Sequence, residues 1–228
     1  MQIAIDTSTD FAGLALVQEH DILAELTWRC GLNHTVELYP RLAYLIEKSG
    51  HSISETDCIF AARGPGSFNG LRVGVSAAKG LAFSLGIPII GISTLEATAY
   101  QHAETGLPVC AVQNAGREEI GAAIYQKKPR KGWCQLASEH ITTVKDLVSK
   151  IESRTIFCGE INPVTADQIK KLFKTKAILS VPAAQLRRAA YLADLGQQRR
   201  ESGAYDDLAT LQPLYLRRPP ITERKKPY

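Results

Sequence analysis

Residues 58–85 read CIFAARGPGSFNGLRVGVSAAKGLAFSL, a short apolar run, a glycine-rich loop and a longer apolar segment. The run at 58–62 predicts a buried strand, and residues 71–85 predict a helix that Gly86-Ile87-Pro88 ends. Between them, the glycines at 64, 66 and 70 permit positive φ and close backbone approach. The loop also delivers its N–H groups to a helix N-terminus, which favours an anion cradle. It matches neither a Walker A loop nor a Gly-x-Gly-x-x-Gly fingerprint, so it predicts a sharp turn more strongly than a nucleotide site.

Upstream of this segment, short apolar runs separated by acidic or polar turns predict strands at residues 2–7, 12–18 and 22–29. Three strands in this order predict an antiparallel meander at the start of a sheet. A helix is predicted at 35–49, where apolar residues recur near helical spacing. Downstream, a strand at 87–92 and a helix at 95–101 complete a first α/β unit.

The pattern restarts after Gly106-Leu107-Pro108, which predicts a boundary near residues 101–107. We therefore expect an N-terminal lobe at 1–103, a C-terminal lobe at 104–217 and a basic, mobile tail at 218–228. The predicted elements of the second lobe are strands at 109–112, 120–125, 155–158 and 177–179, a polar loop at 126–132, and helices at 144–153, 166–173 and 183–200.

Composition restricts the functional classes. The 228 residues are 45% hydrophobic and 22% charged, as in an ordinary globular protein, and the net charge of +4 is too small to predict nucleic-acid binding. The five cysteines are scattered without Cys-x-x-Cys spacing, so they predict small buried side chains rather than a zinc site. No apolar run approaches the ~20 residues of a membrane span, and the N-terminus lacks a basic region before an apolar stretch. We expect a cytoplasmic protein.

Two further features carry possible chemistry. Asp6-Thr7-Ser8 follows an apolar strand, where a carboxylate and two hydroxyls can face a cleft and orient a phosphate or a metal-bound water. The alternative, favoured by the triplet alone, is a turn in which Asp6 accepts nearby backbone N–H groups. Small residues in the helix 71–85 allow close approach of another backbone, and spacing alone favours internal packing over a partner helix. No nucleophile–base pair or metal-ligand pair is recognisable.

Four motifs together resemble one family. They are IAIDTST at 3–9, His34 with Glu37 and Pro40, RGPGSFNGLRVG at 63–74, and PLYLR at 213–217. On these motifs the chain resembles the TsaB (YeaZ) family, accessory proteins of tRNA threonylcarbamoyladenosine biosynthesis. The matches run from residue 2 to residue 217, and the Gly-Pro-Gly-Ser-Phe-x-Gly-Leu-Arg block is highly specific for that family.

The resemblance implies a two-lobed α/β fold of the actin, sugar-kinase and heat-shock-ATPase (ASKHA) type, and a paralogous transferase, TsaD. TsaD carries a metal-binding His-Met-Glu-Gly-His segment where this chain reads Thr94-Leu95-Glu96-Ala97-Thr98. Threonine is a poor transition-metal ligand, so the resemblance implies no metal, no cofactor and no catalytic residue here. The two loops then count as degenerate phosphate-type loops, formed by Asp6, Thr7, Ser8, Gly64, Gly66, Ser67 and Gly70.

The resemblance also implies partners. Family members use a helix pair for homodimers and for pairing with TsaD, and a ternary complex adds the small ATPase TsaE. Carried onto this chain, the interface residues are Leu38, Leu42, Leu71, Gly74, Ala78 and Leu81. No membrane partner is implied, and contact with tRNA is expected to be indirect.

Two enzymatic alternatives stay open at this point. An ATP-dependent kinase or ATPase of the same fold would need phosphate loops in both lobes, and the second lobe has only the isolated Gly116 and Gly159. A metallopeptidase would need ligand pairs, which the spacing of the five histidines does not supply. The family also usually has Thr at Asn69 and Asp-Ala-Arg near Asn114, so this chain departs from it at both places.

Overall fold

The computed structural model describes residues 1–217 and places them in two lobes, each built on a five-stranded sheet. The basic tail predicted at 218–228 lies outside the described residues. Within the described part of the chain, none of the helices combines the length and the apolar character needed to cross a bilayer.

The elements of the first half are β1 (Gln2–Asp6), β2 (Phe11–Gln18), β3 (Asp21–Arg29), α1 (His34–Ser49), β4 (Cys58–Gly64), α2 (Phe68–Leu85), β5 (Ile89–Ser93) and α3 (Thr94–Tyr100). Its sheet has the order β3-β2-β1-β4-β5. β1 and β2 pair antiparallel, as do β2 and β3, which confirms the predicted meander, while β4 and β5 run parallel to β1.

The second half repeats this arrangement. Its elements are β6 (Val109–Gly116), β7 (Glu119–Lys128), β8 (Gly132–Thr142), β9 (Thr155–Gly159), α4 (Pro163–Phe173), β10 (Ala177–Leu179) and α5 (Ala189–Glu201). The sheet order, β8-β7-β6-β9-β10, has the same connectivity as the first, an antiparallel meander followed by two parallel strands. The duplicated topology confirms the predicted two-lobed ASKHA fold.

Each sheet buries both of its faces. Ile3 and Ile5 point toward α1 and α2, whereas the intervening Ala4 points toward α5, because successive strand residues face opposite sides. Both faces of β1 are therefore apolar, which explains why its sequence is a continuous hydrophobic run. Helix α3 lies between the lobes, with Leu95 against the second sheet and Ala97 against the first.

The predicted division of the chain at residue 104 is only partly correct. The chain enters the second lobe at β6, but α5 returns to the first sheet, where Leu192 and Leu195 pack with Phe60 and Ile90. The following segment stays there, since Asp206 bridges to Ile89. Residues 189–211 thus pack on the first lobe, and the assignment of the whole of 104–217 to the second lobe is corrected accordingly.

One strand of the second half was not predicted, and two helix predictions there were wrong. The missed strand is β8, at residues 132–142, an edge strand whose half-exposed side chains give little apolar alternation. The helix predicted at 144–153 is only a short 3-10 turn at Asp146–Ser149. The helix predicted at 183–200 is a 3-10 turn, Pro182–Gln185, followed after a break by α5.

Candidate functional site

A cleft of about 740 Å³ lies between the lobes, where the carboxyl ends of parallel strands from both sheets meet. Asp6 and Ser8 enter it from the end of β1, and Ser67 enters from the loop after β4. The second lobe contributes Asn114 from β6 and Glu160 from the end of β9. The cleft thus brings together both loops that the sequence singled out.

Arg187 closes one wall of this cleft by pairing with Asp6. Its Nε donates to Asp6 Oδ2, its Nη2 donates to Asp6 Oδ1 at 3.3 Å and also to Ser8 Oγ, and its Nη1 donates to Thr98 Oγ1 at 3.3 Å. The two charged side chains are nearly buried, with 13% of Arg187 and 6% of Asp6 exposed. A guanidinium that donates to both oxygens of one carboxylate gives a well-defined geometry as well as charge neutralisation.

The charge state of Asp6 follows from these contacts. Burial alone would raise its pKa, but the charge and hydrogen bonds of Arg187, together with donation from Ser8 N and Oγ at 2.9 and 2.6 Å, hold the pKa below the ordinary value. Asp6 is therefore ionised in the folded protein, and its negative charge is already neutralised within the chain.

This pair predicts an acid-dependent loss of stability. A carboxylate with a depressed folded pKa stabilises the fold fully above its unfolded pKa, near 3.8, and loses that contribution as pH falls through the folded pKa. Wild type should therefore be more stable than Asp6→Asn at about pH 6, and the difference between their free energies of unfolding should become smaller below about pH 4. Urea unfolding of both proteins at these two pH values measures that difference. Asp167→Asn, which removes an exposed carboxylate of α4 outside the cleft, is the control. A difference between wild type and Asp6→Asn that does not change with pH would contradict the prediction.

The loop 64–70 is packed directly against the end of β1. Ser67 N donates to the Ser8 carbonyl at 2.7 Å, and Thr7 Oγ1 donates to the Gly70 carbonyl at 2.7 Å. Glycine is required at 66 and 70 because a Cβ at either position would collide with the backbone oxygen of Ser8 or Thr7. The loop is a tight turn whose amide at Ser67 is already used within the chain.

The last described segment crosses this loop and joins the lobes. Leu214 N donates to the Arg63 carbonyl at 2.6 Å, and the Tyr215 ring lies 5.2 Å from that of Phe68. Arg217 forms an ion pair with Glu119 of β7. Packing against the Gly-Pro-Gly loop thus gives the motif at 213–217 a structural role.

The segment 94–98 is also engaged internally. Thr94 Oγ1 donates to the Pro65 carbonyl, and Thr98 Oγ1 donates to the Thr94 carbonyl at 2.7 Å while accepting from Arg187. Glu96 pairs with Arg199, although burial still raises the pKa of Glu96. Among residues 1–217, no group of three or more His, Cys, Asp or Glu side chains is placed to hold a metal ion.

The six predicted interface residues face the wrong way to form a contact surface. Five of them are buried in the chain's own core and Leu81 is half-buried against it; the five are Leu38, Leu42, Leu71, Gly74 and Ala78. A Cβ at Gly74 would collide with Thr7 Oγ1. The small residues Gly70 and Gly74 thus serve internal packing, the reading that spacing alone favoured.

The opposite face of the same helix pair is open to solvent. On α2, Val73, Ser76, Gly80 and Phe83 recur every three or four residues and form one stripe, of which all but the half-buried Val73 are exposed. Tyr39 of α1 stands beside this stripe, and a groove of about 420 Å³ runs between the two helices. We call these five residues the outer face of α1 and α2.

Sequence reasoning missed Arg187 and Glu160 of the cleft, and Arg187 is the one that pairs with a predicted site residue. The sequence placed it inside a continuous helix, whereas the chain breaks there and turns the guanidinium into the cleft. Its partner Asp6 lies 181 residues away in the chain, so local periodicity could not pair them. The one available signal was an Arg-Arg dipeptide in an otherwise apolar segment.

Comparison with known proteins places the chain in a family. A family model described as "TsaD: tRNA N6-adenosine threonylcarbamoyltransferase" matches residues 29–222. The "tRNA threonylcarbamoyladenosine biosynthesis protein TsaB" of Bacillus subtilis is 29% identical over 219 residues, covering 94% of this chain and 93% of the relative. The protein of the same description from Haemophilus influenzae is 26% identical, covering 99% and 96% of the two chains.

Solved structures agree on the fold. YeaZ from Pseudomonas aeruginosa aligns with a TM-score of 0.79 at 24% identity, covering 93% of this chain and 99% of that one. At such identity the structural likeness establishes the fold alone, and the family rests on the sequence matches. The chain belongs to the TsaD family and, within it, to the TsaB (YeaZ) group of proteins of tRNA threonylcarbamoyladenosine biosynthesis.

Proposed function

We propose that this protein is the non-catalytic partner of a TsaD transferase in the threonylcarbamoyl-adenosine modification of tRNA, and that it acts in the cytoplasm. The observation that carries the proposal is similarity over more than nine-tenths of the chain to relatives named TsaB. The chemistry of the cleft supports the non-catalytic part of the proposal, independently of those names.

A transferase or kinase cleft needs groups that are free to meet a nucleotide or a metal. Here the Asp6 carboxylate is neutralised by Arg187, the Ser67 amide donates to Ser8, and both Thr94 and Thr98 donate to backbone carbonyls. Binding a phosphate or a metal at these positions would require breaking those contacts first. A buried ion pair is costly to open on one side because the remaining charge is left without a partner.

The alternative, an ATP-dependent kinase or ATPase of the same fold, makes the opposite demand on this cleft. It requires that Mg·ATP displace Arg187 from Asp6, which should raise the melting temperature as ligand binds the native state. Thermal denaturation of the purified chain with and without Mg·ATP tests it. We expect no shift, and a saturable stabilisation together with phosphate release would favour the enzyme.

Partner binding is assigned to the outer face of α1 and α2. Small residues at Ser76 and Gly80 let another helix approach closely, and Val73, Phe83 and Tyr39 supply apolar area around them. A second copy and TsaD would use the same face, so the homodimer and the heterodimer should compete. TsaE would then join the heterodimer to give the ternary complex.

Phe83→Asp should weaken association by about tenfold or more, because Phe83 is 79% exposed at the end of this stripe and a buried carboxylate there would have no partner. Val164→Asp changes a 68% exposed apolar residue on α4 in the same way and should have little effect. Light scattering during size exclusion measures both. Equal behaviour of the two variants would contradict the assigned face.

The function itself is tested by the same method with TsaD from the same organism. We expect a homodimer of this chain to be replaced by a heterodimer when TsaD is added. We also expect the modified nucleoside to form in vitro only when this chain, TsaD and TsaE are all present with tRNA and the donor of the threonylcarbamoyl group. Failure of the two proteins to associate, together with ATP turnover by this chain alone, would overturn the proposal.

A further inference from the structure

The charge of the chain is divided unequally between its parts. Residues 104–188 contain 14 Lys and Arg against 8 Asp and Glu, a formal net charge of +6, whereas residues 1–103 contain 6 against 10 and carry −4. The overall value of +4 conceals this difference. The basic excess therefore belongs to the second lobe, and the strand register shows where on that lobe it lies.

The register of the second sheet brings separate basic segments to one end. Ala177 of β10 is opposite Thr155 of β9, Ile156 is opposite Val109 of β6, and Val109 is opposite Tyr125 of β7. The starts of β10, β9 and β6 thus lie level with the end of β7, and the residues that precede or follow the strands at these points share one end of the sheet. They form what we call the basic edge, namely Lys127, Lys128, Arg130, Lys131, Arg154, Lys170, Lys171, Lys174 and Lys176.

Most of these charges are free to meet a ligand. Every member of the basic edge is exposed except Lys128, which is half-buried. Within residues 1–217, Lys127 is the one member that has an acidic partner at salt-bridge distance, with Nζ 2.6 Å from Glu104 Oε1. At a spacing of about 4.8 Å between neighbouring strands, the edge spans about 14 Å from β10 to β7.

Local structure accounts for only part of this cluster. Lys170 and Lys171 occupy the last turn of α4, where they complement the negative end of the helix dipole. The β7–β8 hairpin and the residue before β9 have no such helix end, yet they are equally basic. The most exposed apolar side chains, Leu32, Val36 and Phe83, all belong to the first lobe. Among the segments of the basic edge, Leu172 is an exposed large apolar side chain, at 38%, so basic side chains predominate there over the apolar centre typical of a protein interface.

We propose that the basic edge binds the phosphate backbone of RNA directly, and, resting on the proposed function, that this RNA is the tRNA to be modified. Lysines and arginines spread over a surface of this width neutralise several phosphates without reading base sequence. The basic edge lies at the end of the sheet opposite the cleft residues Asn114 and Glu160. Direct contact of this kind replaces the indirect contact expected from the resemblance.

The experiment measures binding of fluorescently labelled total tRNA to the full chain at several salt concentrations. The test variant is Lys131→Glu with Lys176→Glu, which reverses one charge on each side of the basic edge. The matched control is Lys48→Glu with Lys145→Glu, which makes the same change in net charge on α1 and beside the opposite end of β8. Thermal denaturation of both variants checks that they fold.

Wild type should bind tRNA with an affinity that falls steeply with salt. The test variant should bind about tenfold or more weakly, with a salt slope reduced by about 2, while the control should stay close to wild type. Equal weakening in both variants, or no binding by wild type, would overturn the proposal. Loss of TsaD association in the test variant would also overturn the proposal, because the basic edge would then be a surface that binds a protein. TsaD association without tRNA binding would remove this inference and leave the proposed function standing.

Discussion

Replacing Gly70 with alanine should destabilise the protein by roughly 2–4 kcal/mol, the cost of forcing a buried backbone and a helix apart and losing a buried hydrogen bond. An added Cβ would collide with the Thr7 carbonyl oxygen, a main-chain atom that cannot rotate away. Thr7 is also fixed from its side chain, since its Oγ1 donates to the Gly70 carbonyl at 2.7 Å. Any relaxation must therefore move β1 or the start of α2.

The same substitution at Gly80 is the matched control. Gly80 lies in the same helix but on its outer face, where the nearest atom to a new Cβ is Tyr39 Oη at 4.0 Å. Alanine there should stabilise the chain by up to about 1 kcal/mol through helix propensity. Urea unfolding of the two variants at one protein concentration measures the difference. Similar values for both would show that α2 does not pack against Thr7 as described.

Replacing Arg187 with alanine should cost roughly 3–5 kcal/mol, because it leaves the Asp6 carboxylate buried without its cation. The neighbouring Arg188 provides the comparison. It also forms an ion pair, with Glu25, but 51% of the Arg188 side chain is exposed, against 13% of Glu25. Glu25 keeps a second donor, Ala190 N at 3.0 Å, so Arg188→Ala should cost less than Arg187→Ala, about 1–2 kcal/mol.

A double variant separates the charge from the packing. Asp6→Asn combined with Arg187→Met removes both charges and keeps most of the volume, so it should recover much of the stability lost in Arg187→Ala. Denaturant unfolding of the single and double variants gives the coupling between the two sites. If Arg187→Ala costs no more than Arg188→Ala, the pair does not stabilise the joint between the lobes.

The sequence located most of the elements that have strong local patterns. The strands at 2–7 and 177–179 and the helix at 35–49 agree with β1, β10 and α1 to within one residue at each end, because their apolar periodicity and end signals are consistent. β8 was missed because an edge strand with mostly half-exposed side chains lacks that alternation. The helix predicted at 183–200 begins only at Ala189. The composition of residues 183–188 is typical of a helix, but the chain breaks there after a 3-10 turn.

The choice between the two faces of α2 shows the limit of such reasoning. Its small residues fall on two sides, Gly70 and Gly74 inward and Ser76 and Gly80 outward. Spacing reveals that both sides are small, but only the position of β1 decides which side is occupied. The residues carried over from the family resemblance lie on the inner side, so the interface that we propose is on the outer face.

The sequence by itself determined the two-lobed α/β organisation, the sharp turn at 64–70 and the membership of the family, because these depend on local chain geometry and on contiguous motifs. The tertiary structure decided the Asp6–Arg187 pair, the return of α5 to the first lobe and the assembly of the basic edge. Each of these joins residues that are distant in the chain. Long-range contacts depend on strand order and register, which local periodicity does not encode.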